Sequence, residues 1–191
     1  MKKFLIVMTA AIILAGSNFA EATPFSNEQL DKIFIDADKN AAKINSELNL
    51  NTAQLQEKFN GIITPIVKEA LGSDDISALE HLVLIKDYKI IGDTFANVFG
   101  DYRVAIVGKT AASGNFKELS LCYTTPEEND ESIFTIWLLT AFVKSIAPEV
   151  NPQALMGELT EENSPRSVVK DNVKFSIAED GNLNILTATA E

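Results

Sequence analysis

The potential oxygen ligands with the most recognisable spacing in the sequence are Asp36-Ala37-Asp38-Lys39-Asn40 together with Glu47. The D-x-D-x-N spacing and a glutamate at the twelfth position match a calcium loop held between two helices. Such a loop turns sharply at its sixth position and needs glycine there, whereas this chain has Ala41. The eighth position, normally apolar, is Lys43. Apolar residues keep helical spacing straight through the segment, so Asp36 and Asp38 are expected on a solvated helix, pointing apart. A second acidic run, Glu127-Glu128-Asn129-Asp130-Glu131, has oxygens enough for a divalent cation. An acidic run just before a helix also suits the helix dipole as a solvated cap. No metal site is therefore expected, and any cation would have to use Asp36, Asp38, Asn40, Glu47, Glu127, Glu128 or Asp130.

Nucleophilic chemistry is equally constrained. His81 is the sole histidine, which excludes sites built on two imidazoles. A Ser–His–Asp triad would have to use His81, and no G-x-S-x-G elbow accompanies it. Cys122 is the sole cysteine, so no intramolecular disulfide exists; between Leu121 and Tyr123 it reads as an inert small hydrophobe. Gly108-Lys109-Thr110 has the tail of a phosphate loop, but Arg103 stands where the first glycine belongs, and no helix follows. No cofactor and no catalytic residue is assigned. Paired carboxylates need a spatial separation that a linear sequence does not give, so a carboxylate-based hydrolase is the alternative to a non-catalytic role.

The elements that must position these residues begin at Ser26-Asn27-Glu28-Gln29, which has capping-box form. Leu30, Ile33, Phe34, Ala37, Ala41, Ile44 and Leu48 then predict one long amphipathic helix. A second helix is expected from Thr52, kinked at Pro65 and stopped by Gly72. The short Asn49-Leu50-Asn51 connection would make the two helices antiparallel neighbours. Strands are predicted at Leu82–Ile85, Tyr88–Ile91, Phe95–Phe99, Arg103–Val107 and Phe116–Tyr123. The last of these places Phe116, Glu118, Ser120 and Cys122 on one face, and Lys117, Leu119, Leu121 and Tyr123 on the other. Ile133–Val143 is apolar on every side and is expected as a central helix covered all round. Asn151-Pro152 opens a short helix, 160–171 reads as a solvated loop, and Asp180-Gly181 closes a final hairpin. Helices and strands in segregated runs indicate an α+β fold, a curled antiparallel sheet of about five to six strands packed around a central apolar helix. Residues 23–72 form the helical hairpin of this single domain, 23–191, and residues 80–191 the sheet and central helix. Phe95, Phe99, Trp137 and Phe142 are the candidates for a groove at the sheet's open mouth, taking a small apolar ligand or a protein partner's segment.

With 16 Lys and Arg against 27 Asp and Glu, the formal charge of −11 excludes an electrostatic grip on nucleic acid. Lys2-Lys3, the apolar run Phe4–Ala15 and the small-x-small site Ala20-Glu21-Ala22 have the form of a cleaved signal peptide over residues 1–22. Leu14-Ala15-Gly16 is followed by Ser17 and not by the cysteine that takes a lipid in bacterial lipoproteins. The sequence therefore indicates an exported bacterial protein, periplasmic or secreted, without a lipid anchor or a membrane span in the mature chain. Its expected role is a non-catalytic module that binds a ligand or partner. Intact mass of protein recovered from the envelope or medium should give a chain starting near Thr23 without acylation. A mature protein retaining Met1 would contradict export by this route.

Overall fold

The computed structural model describes residues 25–100, 103–125, 129–161 and 166–191; the expected signal peptide lies outside them. Seven antiparallel strands form one open sheet in the order β1-β2-β3-β4-β7-β6-β5. They are β1 (Lys89–Ile91), β2 (Thr94–Phe99), β3 (Val104–Thr110), β4 (Phe116–Thr124), β5 (Ser167–Lys170), β6 (Val173–Asp180) and β7 (Leu183–Ala190). The sheet is two meanders, β1–β4 and β5–β7, joined where β4 pairs with β7 from Glu118↔Thr189 to Thr124↔Leu183. Gly114 closes the β3–β4 hairpin and Gly181 the β6–β7 hairpin, both at positive φ. The β5–β6 turn uses Asp171 (φ 52°) and Asn172 (φ 60°), the residue types that best tolerate the left-handed region. That hairpin supplies β5, the strand absent from the expected loop 160–171.

Five helices are present among the described residues: α1 (Asn27–Ala41), α2 (Thr52–Leu71), α3 (Glu80–Val83), α4 (Asn129–Ile146) and α5 (Pro152–Thr160). Three start as the sequence predicts. Ser26 and Gln29 exchange capping-box hydrogen bonds, Asn51 and Gln54 do the same, and Asn151 caps a helix with Pro152 in its first turn. Gly72 ends α2 in the left-handed conformation, and α2 runs through Pro65 as one helix. None of the helices is long and apolar enough to cross a membrane.

The α+β class holds, but α1 and α2 are not antiparallel neighbours. Leu55, Phe59, Ile63 and Val67 of α2 join Leu138, Phe142 and Val143 of α4 over one face, against Ile106, Leu119, Leu121 and Phe175. Ile33 and Ala37 of α1 pack on the other face, against Ala105, Val107, Cys122 and Leu183. The connection is longer than expected because α1 ends at Ala41. Residues 44–50 belong to no helix, and near their end Leu48 N–H bonds Phe116 O (2.7 Å) and Phe116 N–H bonds Leu50 O (2.9 Å). This stretch rounds the β3–β4 hairpin and carries the chain from one face to the other. Ile44, Leu48 and Leu50 fit period two as well as Ile44 and Leu48 fit a helix, and edge pairing decides against the helix.

Leu82–Ile85 is not a strand. Asn60 of α2 bonds both the N–H and the carbonyl of Ile85 (2.8 and 2.9 Å), removing the backbone groups a ladder would need. In β4, Phe116 lies opposite Thr110 and Glu118 opposite Lys109, so Lys117 is an extra, bulged residue. The bulge moves Phe116 onto the face of Leu119 and Leu121, against the expected alternation. Gly108 opposite makes room for this, since a Cβ there would lie 2.7–2.8 Å from Leu119 and Phe116. Helix α4 is not covered all round either: Ile136 is 52% exposed and Trp137 only half-buried. Phe142→Ala should therefore cost about 3–5 kcal/mol, as a fully buried aromatic does, and Trp137→Ala clearly less. Equal losses in urea denaturation of the two variants would mean that the outer side of α4 is covered after all.

Candidate functional site

The four aromatics expected at a groove do not form one. Phe95, Phe99 and Phe142 are core residues: Phe99 stacks on Phe59 (centroids 5.5 Å apart) and Phe95 meets Phe116 edge-on (5.6 Å). Trp137 packs edge-on to Phe134. Hydrophobic burial has claimed three of these side chains for the side of the sheet that α2 and α4 cover. Of the candidate cation residues, only Glu47 has a described side chain. Helix α1 continues through positions 36, 38 and 40, so the sharp calcium loop is not formed. Glu47 accepts a hydrogen bond from the Ser113 hydroxyl. Glu127 and Glu128, and the side chains of Asp36, Asp38, Asn40 and Asp130, lie outside the described residues. His81 is exposed in α3, and Lys109 reaches Asp93 and Thr94 from within β3, with no phosphate loop around it.

A different site lies on the opposite face, beneath α1. An open cleft of about 540 Å³ is bounded by Ile33, Ala37, Lys43 and Ile44 above and by β4, β7 and β6 below. That volume falls in the range of roughly 300–1,000 Å³ usual for small-molecule sites. Strand register builds its floor in three rows. Glu118, Thr189 and Lys174 form one, Ser120, Thr187 and Ser176 the next, and Cys122, Ile185 and Ala178 the third. The floor thus grades from charged through hydroxyl to apolar. Helix α1 is fixed over it at both ends. Gln29 bonds Asn182 (2.8 Å) and Lys32 pairs with Asp180 at the β6–β7 turn, while Ser46 past the helix bonds the Ala190 carbonyl (2.9 Å). Because α1 rests on β3 and β4, the floor over β6 and β7 stays open.

Glu118 is the chemically distinctive group. It is only 2% exposed and lines the cleft, and among the described residues no hydrogen bond or ion pair reaches its carboxyl. Its cross-strand neighbour Lys109 turns away to Asp93. Burial without a counter-charge raises the Glu118 pKa from 4.5 to about 7. Four residues on, burial and the nearby Glu118 charge push the Cys122 thiol to about 12, so it is not a nucleophile at neutral pH. Ser120 and Thr187 share one hydrogen bond (2.9 Å), which leaves a second hydroxyl proton and several lone pairs for a guest. The sequence does show Glu118 alternating with Ser120 and Cys122 on one face of a strand. It does not show that this face is covered by a helix, and that coverage is what makes the carboxyl unusual.

The pH dependence of stability follows with a definite sign. Folded Glu118 holds its proton to about pH 7 and the unfolded residue only to about 4.5, so the native state binds more protons between these values. Stability from this group is complete below pH 4.5 and is lost as pH rises to 7. Cleft water screens the charge, so the loss is on the order of 1–2 kcal/mol, below the full linkage value. Glu118→Gln should flatten this part of the stability curve, measured by denaturation at pH 4.5 and 7.5 beside the wild type. An unchanged slope would mean that Glu118 is solvated.

Set against protein families, curated proteins and solved structures, the chain matches none of them.

Proposed function

We propose that the protein is an exported binding module that holds a small polar ligand in the cleft beneath α1. The observation that carries this reading is the Glu118 carboxyl, buried without a partner on the floor of an open cleft. The carboxyl has no protein partner among the described residues and faces the open cleft, so a guest that hydrogen-bonds it there supplies the partner that the fold does not. The ligand is polar, in place of the apolar one that the aromatics suggest in sequence. Export rests on the leader-like residues 1–22.

Binding is favoured over hydrolysis by the same lining. Paired-carboxylate chemistry divides acid and nucleophile or base between two carboxyls. Glu118 is the sole carboxyl among the described residues that line the cleft, and the Cys122 thiol is unsuited to attack.

The test is a thermal-shift screen of small polar metabolites against the wild type and Thr187→Trp, which fills the cleft from a half-buried position. At a hundredfold excess over Kd, a ligand adds about 2.7 kcal/mol, or roughly 5–10 °C for a chain of this size. Expected is at least one compound that raises the wild-type Tm and leaves the variant unmoved. Shifts equal in both proteins, or none at all, would overturn the assignment of the cleft.

A further inference from the structure

The cleft carries more information than its openness. Its polar row runs from Glu118 through Thr189 to Lys174, and Lys43 lines the same cleft from the segment after α1. Both lysines are exposed, and neither has an ion-pair partner among the described residues. Among the described residues that line the cleft, two lysines thus stand against one carboxyl, in a chain whose net charge is −11. Two strand spacings, roughly 10 Å of backbone, separate Glu118 from Lys174. That is too far for the adjacent charges of an α-amino acid and suits an extended molecule. Between the ends lies the Thr189 hydroxyl, and alongside it in the next row are those of Ser120 and Thr187, each able to donate or accept.

Resting on the cleft reading above, we infer that the guest is a small hydroxylated carboxylate, its acid group at Lys43 and Lys174 and its hydroxyls along the Ser120–Thr187 floor toward Glu118. An anion is drawn to the lysines and repelled by an ionised Glu118; a neutral Glu118 can donate to a ligand oxygen and also accept from a hydroxyl. Binding therefore takes up a proton. The charged groups around Glu118 are Lys109 on β3 (held by Asp93), Lys117 on β4, Lys174 on β6 and Lys43 after α1, and the Cys122 thiol on β4 stays neutral. The facing residues of β7, Ile185, Thr187 and Thr189, do not titrate at neutral pH. None of the described residues of α1 that line the cleft is titratable, so Glu118 is the group that sets the dependence near pH 7.

Calorimetry with D-gluconate and D-glucuronate at pH 6 and pH 8 tests this, with glucose and glucosamine as neutral and cationic controls. Only the protonated fraction binds well, so the acids should bind about tenfold more tightly at pH 6 than at pH 8. Glu118→Gln should bind at both pH values with the pH dependence gone. Lys43→Ala combined with Lys174→Ala, at exposed positions that leave the fold intact, should weaken the acids at least tenfold and make the remainder insensitive to salt. Glucosamine binding that strengthens with pH and is abolished by Glu118→Gln would overturn the inference in favour of a cation. Glucose binding as tightly as the acids would overturn it in favour of a neutral polyol; both results keep the cleft as a site. Absence of any ligand sensitive to Thr187→Trp would remove the binding reading itself.

Discussion

The register of β4 against β7 is the constraint on which the rest of the molecule depends. That seam joins two meanders that are otherwise separate, and it fixes which side chains face each layer of helices. Side chains alternate with a period of two, so a one-residue slip would put Glu118 and Ser120 among the phenylalanines and turn Leu119 and Leu121 toward α1. The bulge at the start of β4 sets the phase, and Gly108 admits it by leaving space for Phe116 and Leu119 together. A buried carboxyl on one face is thus the counterpart of a dense aromatic core on the other.

The two faces are unequal by design of the sequence. The α2–α4 side carries most of the large apolar side chains, including Phe59, Phe95, Phe99, Phe116, Phe142 and Phe175. The α1 side has a much smaller cluster around Phe25, Ile33, Ala37 and Leu183. A helix with so few anchors cannot cover three strands, and the uncovered remainder is the cleft. Its floor keeps hydroxyls because α1 does not press on β6 and β7 there. One tight layer and one partial layer allow a stable domain to hold a polar site close to its core.

Much of this was legible in the sequence wherever local chemistry decides. Caps at Ser26, Asn51 and Asn151, the stop at Gly72 and the Asp180-Gly181 turn are short-range features, and the backbone obeys them. Failures arise where a distant partner decides. Residues 44–50 fit helical and extended spacing alike, and the edge of β4 claims them. Leu82–Ile85 has strand composition, yet Asn60 takes its hydrogen bonds. The candidate site followed the same rule. Large aromatic side chains suit a binding groove and a core equally well, and Phe95, Phe99 and Phe142 belong to the core. Glu118 looked ordinary because a carboxylate in an alternating strand is ordinary until a helix lies over it.

The anchoring of α1 has a consequence for the order in which the molecule comes together. Gln29 and Lys32 are held by Asn182 and Asp180, partners roughly 150 residues further along the chain, and contacts of such separation close late because loop entropy must be overcome first. Helix α1 is therefore expected to dock after strands that follow it in the chain, since its platform includes β7. A chain interrupted before β7 could still form the β1–β4 meander with α2 on its face, but it would have neither a floor nor a roof for the cleft. Helix α1 and strand β7 meet at the cleft, and its presence reports that both have docked.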